Sequence, residues 1–129
     1  MAHAHATWPA ECCGLLIGST DSIDEAVPVR NVAAVAGGKN PVTTYVIDPG
    51  DHITVRREAR QRGLTVVGFY HSHPSSRAWP SPTDIAEANY ADALYVIVSL
   101  EHEPVDVRAF RIEDGYVVEV SLETTLEPA

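Results

Sequence analysis

The chain has only two cysteines among its 129 residues, and they are adjacent, Cys12 and Cys13. Neighbours on a strand point to opposite faces, so a disulfide framework is excluded and a reducing cytoplasm fits better than an oxidising exterior. No apolar run approaches the ~20 residues that a membrane span requires. The N-terminus lacks the charged flank and apolar core of a secretory signal. Basic residues are scarce: nine Lys and Arg stand against eighteen Asp and Glu, for a formal net charge of −9. They gather no further than Arg56, Arg57, Arg60 and Arg62. A nucleic-acid partner is thereby excluded, because binding a phosphate backbone needs several cations converging on one surface. There is no repeat, low-complexity tract or linker, so a single domain over residues 1–129 is expected, long enough to bury one core.

What is present has the balance of an ordinary globular domain, with 45% hydrophobic residues. Cys13 to Ile17 is a short apolar run closed by Gly18 and Ser19 and reads as a buried strand. Ala26 to Val35 alternates loosely and predicts a second strand, and Thr44 to Ile47 a third, after a turn rich in glycine and proline. Asp48-Pro49-Gly50-Asp51 opens a helix that should run to Arg62 and stop at Gly63. Thr65 to Tyr70, rich in β-branched and aromatic residues, predicts a central strand. A loop with Pro74, Pro80 and Pro82 follows. Ser81 as N-cap and Pro82 at the first helical position then predict a helix to about Tyr90. Leu94–Leu100, Val107–Ile112 and Tyr116–Val120 read as strands, the last two joined by a Glu113-Asp114-Gly115 turn. The fold class is α/β (α+β), with a curled, mostly antiparallel mixed sheet flanked by helices.

His71 and His73 stand two residues apart at the end of the central strand, so both imidazoles can reach one point. Two imidazoles and one carboxylate, with a fourth position left to water, make up a catalytic zinc site. Asp84 can supply the carboxylate from the first turn of its helix, where the macrodipole favours the ionised form. The proline-rich loop costs little entropy to order and could bring Asp84 back to the histidines. Each feature also has a plainer reading. Ser81-Pro82-Thr83-Asp84 doubles as a helix capping box, and a His-x-His pair on a strand can be a solvated face. His3 and His5 show the contrast: Met1 to Thr7 looks helical, and a spacing of two on a helix turns side chains apart by roughly 200°. His52 and His102 read as surface histidines.

The pattern His71-x-His73, seven residues, Ser81, two residues, Asp84 resembles the signature of the JAMM (MPN+) metallopeptidases. Glu11-Cys12-Cys13-Gly14-Leu15-Leu16-Ile17-Gly18 is similar to the family's N-terminal element, and Val66 to Tyr70 leading into His-Ser-His-Pro matches as well. The resemblance runs from Glu11 to about Leu100 and implies a cytidine-deaminase-like MPN fold. It implies Zn2+ held by His71, His73 and Asp84, with Glu11 as general acid/base and Ser81 helping to stabilise the oxyanion. From its own surroundings in sequence, Glu11 reads as a solvated residue at a strand entrance. The family's first helix looks truncated here, so that either the start is internal to a longer frame or the helix is a stub; the packing lost could be covered by a neighbouring subunit, as in a homodimer. Without long insertions, the chain looks like the compact prokaryotic members. These act on small ubiquitin-like or sulfur-carrier proteins ending in Gly-Gly, at an amide or isopeptide bond, in some cases releasing cysteine. A non-catalytic MPN scaffold module and a zinc hydrolase of a small amide remain as alternatives. Cys13 occupies the family's cysteine position as a small buried hydrophobe. Trp79, on the loop between the ligands, could wall a substrate groove.

Overall fold

Cys13, Leu15 and Ile17 face one side of the first strand and Leu16 the other, and almost none of their surface is exposed. A strand apolar on both faces belongs inside a sheet covered on both sides. The computed structural model, which describes residues 4, 8–19, 22–35, 38–41 and 44–122, has that arrangement. Strands β1 (Cys13–Ser19), β2 (Ser22–Val29), β3 (Thr65–His73), β4 (Leu94–Ser99), β5 (Asp106–Glu113) and β6 (Tyr116–Val120) form one sheet in the order β2-β1-β3-β4-β5-β6. Every neighbouring pair is antiparallel except β3 with β4. The sheet is therefore mixed and mostly antiparallel, as expected.

Helices α1 (Pro49–Gln61) and α2 (Pro82–Ala86) precede β3 and β4 respectively. Val55 and Ala59 of α1 pack on Cys13, Leu15, Phe69, Tyr95, Ile97, Phe110 and Ile112. The opposite face gathers Cys12, Leu16, Tyr70, Val96, Val98 and Ala109 around Ala4. Ala4 lies in a helix and is fully buried, whereas the His3/His5 pair and the rest of Met1 to Thr7 fall outside the described residues. Among the described residues no helix is long and apolar enough to cross a membrane.

Local chemistry accounts for most element ends. Asp48 caps α1 by accepting from the Asp51 backbone N–H at 2.9 Å, and Gly63 with φ 72° ends it. Asp114 and Gly115, with φ 50° and 80°, give the left-handed pair of a two-residue hairpin turn. Register shifts at Leu16, Ile17 and Gly18 bulge and bend β1.

Three elements differ from the sequence reading. The second strand runs over Ser22–Val29 rather than Ala26 to Val35; its Pro28 is tolerated because β2 is a sheet edge. Thr44 to Ile47 forms no strand, only an isolated bridge from Ile47 to Asn31. Helix α2 stops at Ala86 instead of Tyr90 and buries no side chain fully, so nothing beyond its cap prolongs it.

Candidate metal centre

β3 sets Phe69, His71 and His73 on the α1 side of the sheet, two residues apart as the pleat demands. Both histidines are buried. Asp84 reaches them from the first turn of α2, because the loop between is pinned at several points. His73 Nδ1 lies 2.8 Å from the Arg77 carbonyl oxygen. Ser99 Oγ donates to the Ser76 carbonyl at 2.6 Å, and the Leu100 N–H donates to the His73 carbonyl at 3.0 Å. Ser81 closes the loop with a full capping box: its N–H donates to Asp84 Oδ2 at 2.9 Å while its Oγ accepts from the Asp84 N–H at 3.1 Å. Capping and ligand geometry are thus not rivals, since the one oxygen serves both.

The three donor atoms meet closely. His71 Nε2 is 3.1 Å from His73 Nε2 and 3.1 Å from Asp84 Oδ2, and His73 Nε2 is 3.0 Å from the same oxygen. The Arg77 carbonyl can only accept, so His73 Nδ1 carries a proton, and a neutral His73 then turns a bare lone pair toward the carboxylate. With both imidazoles neutral and their Nε2 lone pairs turned inward, the three atoms would be acceptors converging on one point, an arrangement that suits a cation between them. A tetrahedral zinc with ligand bonds of about 2.0–2.1 Å has ligand–ligand edges of about 3.3–3.4 Å, within a few tenths of an ångström of this triangle. Among the described residues no fourth His, Cys, Asp or Glu joins the three. The donor set fits zinc with one open position.

The electrostatics of the metal-free site agree with that fit at His71 and Asp84, while His73 would release a proton on binding a metal. Burial lowers His71 below the ordinary imidazole range and so favours its neutral, ligating form. Burial would raise Asp84, but hydrogen bonds from His71, His73 and the Ser81 N–H hold it well below the usual carboxylate range. His73 is raised: burial lowers it, and its bonds to Asp84 and the Arg77 carbonyl more than reverse this.

Glu11 stands beside the cluster, and it is buried rather than solvated, with 5% of its surface exposed. Its backbone is fixed by donation to the Pro41 carbonyl at 2.7 Å and by acceptance from Asn31 Nδ2 at 3.0 Å. The next residue, Cys12, crosses to β3, donating to Ser72 Oγ at 2.8 Å and accepting from the Ser72 N–H at 3.1 Å. This sets Glu11 at the His73 end of the cluster. Its Oε1 has no hydrogen-bond partner among the described residues. Burial pushes the carboxyl up to about 8, and Asp84 adds to this against the attraction of His73. A buried carboxyl with an unpartnered oxygen, set beside the three converging donors, is placed to exchange protons there.

A family model described as prokaryotic homologs of the JAB domain matches residues 1–113. The chain belongs to this JAMM/MPN-type family. The JAB-domain chain is 37% identical over 123 residues to the CysO-cysteine peptidase of Mycobacterium tuberculosis, covering 92% of this chain and 80% of that protein. It is 40% identical over 93 residues to the desampylase of Haloferax volcanii, covering 70% of this chain and 63% of the relative. A probable TtuB-protein conjugate cleaving protease of Thermus thermophilus is 33% identical over 117 residues, 91% of this chain and 72% of that one. In fold, it superposes on the solution structure of a Desulfitobacterium hafniense protein with a TM-score of 0.85 at 28% identity, over 98% of this chain and 86% of the other. A JAB1/MPN domain protein from Archaeoglobus fulgidus shares the fold with a TM-score of 0.58, over 93% and 84% of the two chains at 24% identity.

Not every residue singled out in the sequence meets at this point. Trp79 packs edge-on against Phe110 with ring centroids 5.1 Å apart, under the Arg77 guanidinium. His102 is exposed beside Glu101, at 3.6 Å. His52, read as a surface residue, instead packs its edge on Phe69 at 5.7 Å. Cys13 is buried, its thiol pushed up to about 12 chiefly by that burial. Two residues that the sequence reading passed over shape the JAB-domain site. Tyr45 stacks on the His71 ring at 4.4 Å, covering the face of the imidazole. Asn31 accepts from the Ala33 and Val46 N–H groups and donates to the Glu11 and Thr44 carbonyls, at 3.0 to 3.2 Å. No spacing rule points to either, because their partners lie on segments far apart in sequence.

Proposed function

We propose that this chain is a zinc-dependent peptidase. In this reading it hydrolyses the amide or isopeptide bond at the C-terminal Gly-Gly of a small ubiquitin-like or sulfur-carrier protein. The observation that carries the reading is the buried Glu11 carboxyl, its Oε1 without a partner among the described residues, beside His71, His73 and Asp84, whose three donor atoms converge. The names of the relatives, a desampylase, a CysO-cysteine peptidase and a conjugate cleaving protease, support the same bond and substrate class.

His71, His73 and Asp84 would hold the metal. A zinc ion there would supply Lewis-acid chemistry, polarising a carbonyl and lowering the pKa of a water to about 7. Glu11 accepts that water's proton as it attacks, then returns the proton to the leaving amine. Burial raises this carboxyl in the metal-free protein, and the charge of a bound zinc would favour its ionised form, the one that accepts a proton. Ser81 Oγ already accepts from the Asp84 N–H, which leaves its own O–H to donate to the oxyanion. Tyr45 shields the imidazole of His71 from water. A diglycine tail suits a site between two loops, since a thin extended strand can thread past it.

Two further parts belong to the same proposal. A reducing cytoplasm agrees with two buried cysteines that form no disulfide. A homodimer is supported by Tyr116 and Val118, 78% and 61% exposed on the edge strand β6. The main test is cleavage of a carrier–cysteine adduct and of a carrier–lysine isopeptide, each with and without chelator. Turnover that needs about one zinc per chain and disappears in Glu11→Gln is expected. Turnover unchanged by chelation or by Glu11→Gln sinks the mechanism, and a protein that takes up no zinc favours a scaffold module.

A further inference from the structure

Beyond the metal centre, on the His71 side, lies an open cavity of about 470 Å3. Such a volume falls in the range of about 300–1,000 Å3 in which proteins bury small ligands. Its lining is mixed: the rings of Tyr45, Phe69, Tyr90 and Tyr95 form an aromatic wall, and Lys39 and Glu87, paired with each other at 2.8 Å, form a polar one. Phe69 lies 5.1 Å from Tyr90 and 5.7 Å from Tyr95, ring to ring. The walls are also held in place. The Tyr90 N–H donates to Tyr95 Oη at 3.1 Å, and the Arg56 guanidinium sits 5.5 Å over the Tyr90 ring. Tyr90 nevertheless keeps 46% of its surface exposed. An ordered ring left open to solvent on the wall of a concavity suits a ligand.

Two observations relate this cavity to the metal centre. Tyr45 belongs to both: it stacks on His71 and also lines the cavity. Along β3 the cavity floor, Phe69, lies two residues back from His71, about 7 Å at the rise of an extended chain. The direction follows from Glu11, which sits at the opposite, His73 end. The leaving amine must take its proton from Glu11, so it departs at that end. The acyl chain then extends the other way, across Tyr45 and over Phe69. In an extended peptide the third residue before the scissile bond lies about 7 Å behind the first.

We propose that this aromatic cavity receives the side chain of the third residue before the scissile bond, and that it selects a large apolar or aromatic one. In a diglycine tail this is the residue just before Gly-Gly. The inference rests on the peptidase reading for its direction, while the cavity itself can be tested by binding alone.

The test uses acetylated Xaa-Gly-Gly peptides with a free C-terminal carboxylate, Xaa being Phe, Ala or Asp, titrated into the zinc-loaded protein by calorimetry. Burying a phenyl ring in place of a methyl group should tighten binding about tenfold or more, with Asp weakest. Tyr90→Ala, which opens the cavity, and Asn89→Trp, which fills its mouth from an exposed position, should each bring the Phe-to-Ala ratio near one. Both variants must keep their zinc and their circular dichroism. Equal affinity for Phe and Ala, a preference that survives both variants, or no binding at all overturns the proposal. Joining the same peptides to a lysine ε-amine separates this outcome from failure of the peptidase reading. Cleavage at one rate for every Xaa removes the cavity's role and leaves the peptidase. Selective binding without cleavage removes the peptidase and leaves the cavity.

Discussion

Replacing Glu11 by glutamine keeps the shape of the side chain and takes away its ability to ionise. In the metal-free protein, burial raises the Glu11 carboxyl from 4.5 to about 8. Below a pH of about 4.5 the folded and unfolded chains both hold the proton, and the residue costs nothing extra. Between about 4.5 and 8 the unfolded chain has released the proton while the folded one keeps it, so stability falls as pH rises. Above about 8 the penalty is complete. The gap of roughly 3.5 units, at about 1.36 kcal/mol each, sets a ceiling of about 5 kcal/mol. Water reaching the ionised group and relaxation around it reduce this ceiling, so about 2 kcal/mol is expected at pH 9. Glutamine carries no such penalty at any pH. Thermal unfolding followed by circular dichroism in chelator measures the difference. At pH 5 the two proteins should melt within about 3 °C of each other. At pH 9 Glu11→Gln should melt about 8 °C higher, at about 4 °C per kcal/mol for a domain of this size. An offset of the same size at both pH values, or a variant that melts lower at pH 9, refutes the reasoning. The variant should also lose at least a hundredfold in hydrolysis while still binding zinc.

Chelation should lower the melting temperature of the zinc-loaded protein by on the order of 10 °C, since a ligand at a thousand times its Kd stabilises by about 4 kcal/mol; differential scanning fluorimetry with zinc added back checks this. His71→Ala and Asp84→Asn should each reduce zinc, measured by elemental analysis, from about one per chain to a small fraction, and Asp84→Asn should do so with α2 still capped at Ser81 Oγ. Asn31→Ala leaves four backbone groups without their partner; it should cost about 2–4 kcal/mol in urea unfolding and reduce turnover by loosening Glu11 and Tyr45 together. Lys39→Ala removes the Lys39–Glu87 ion pair, whose side chains are 43% and 46% exposed; its effect on stability should stay within about 0.5 kcal/mol.

The parts of the site that the sequence revealed are those governed by short-range rules. His71 and His73 share a face because a strand repeats every two residues. Ser81 and Asp84 meet because a helix needs its first N–H groups satisfied. What it concealed depends on contacts between distant segments. Thr44 to Ile47 has the composition of a strand, but Asn31 satisfies the Thr44 carbonyl and the Val46 N–H through its side chain, so the segment becomes a wall and Tyr45 covers His71. The cavity lining has the same character, with Phe69 on β3, Tyr95 on β4 and Tyr90 on the loop between α2 and β4. Glu11 is the sharpest case. Its local sequence calls for solvent, and its burial is imposed by Pro41, Asn31 and a cross-strand bond to Ser72. A carboxyl placed where sequence alone would put it, in water, would carry no desolvation penalty and would not be held beside the histidines. The stability lost by burying it and the proton transfer its placement allows therefore share one physical origin. A substitution that relieves the first should abolish the second, which is why Glu11→Gln is expected to raise stability and remove activity in the same protein.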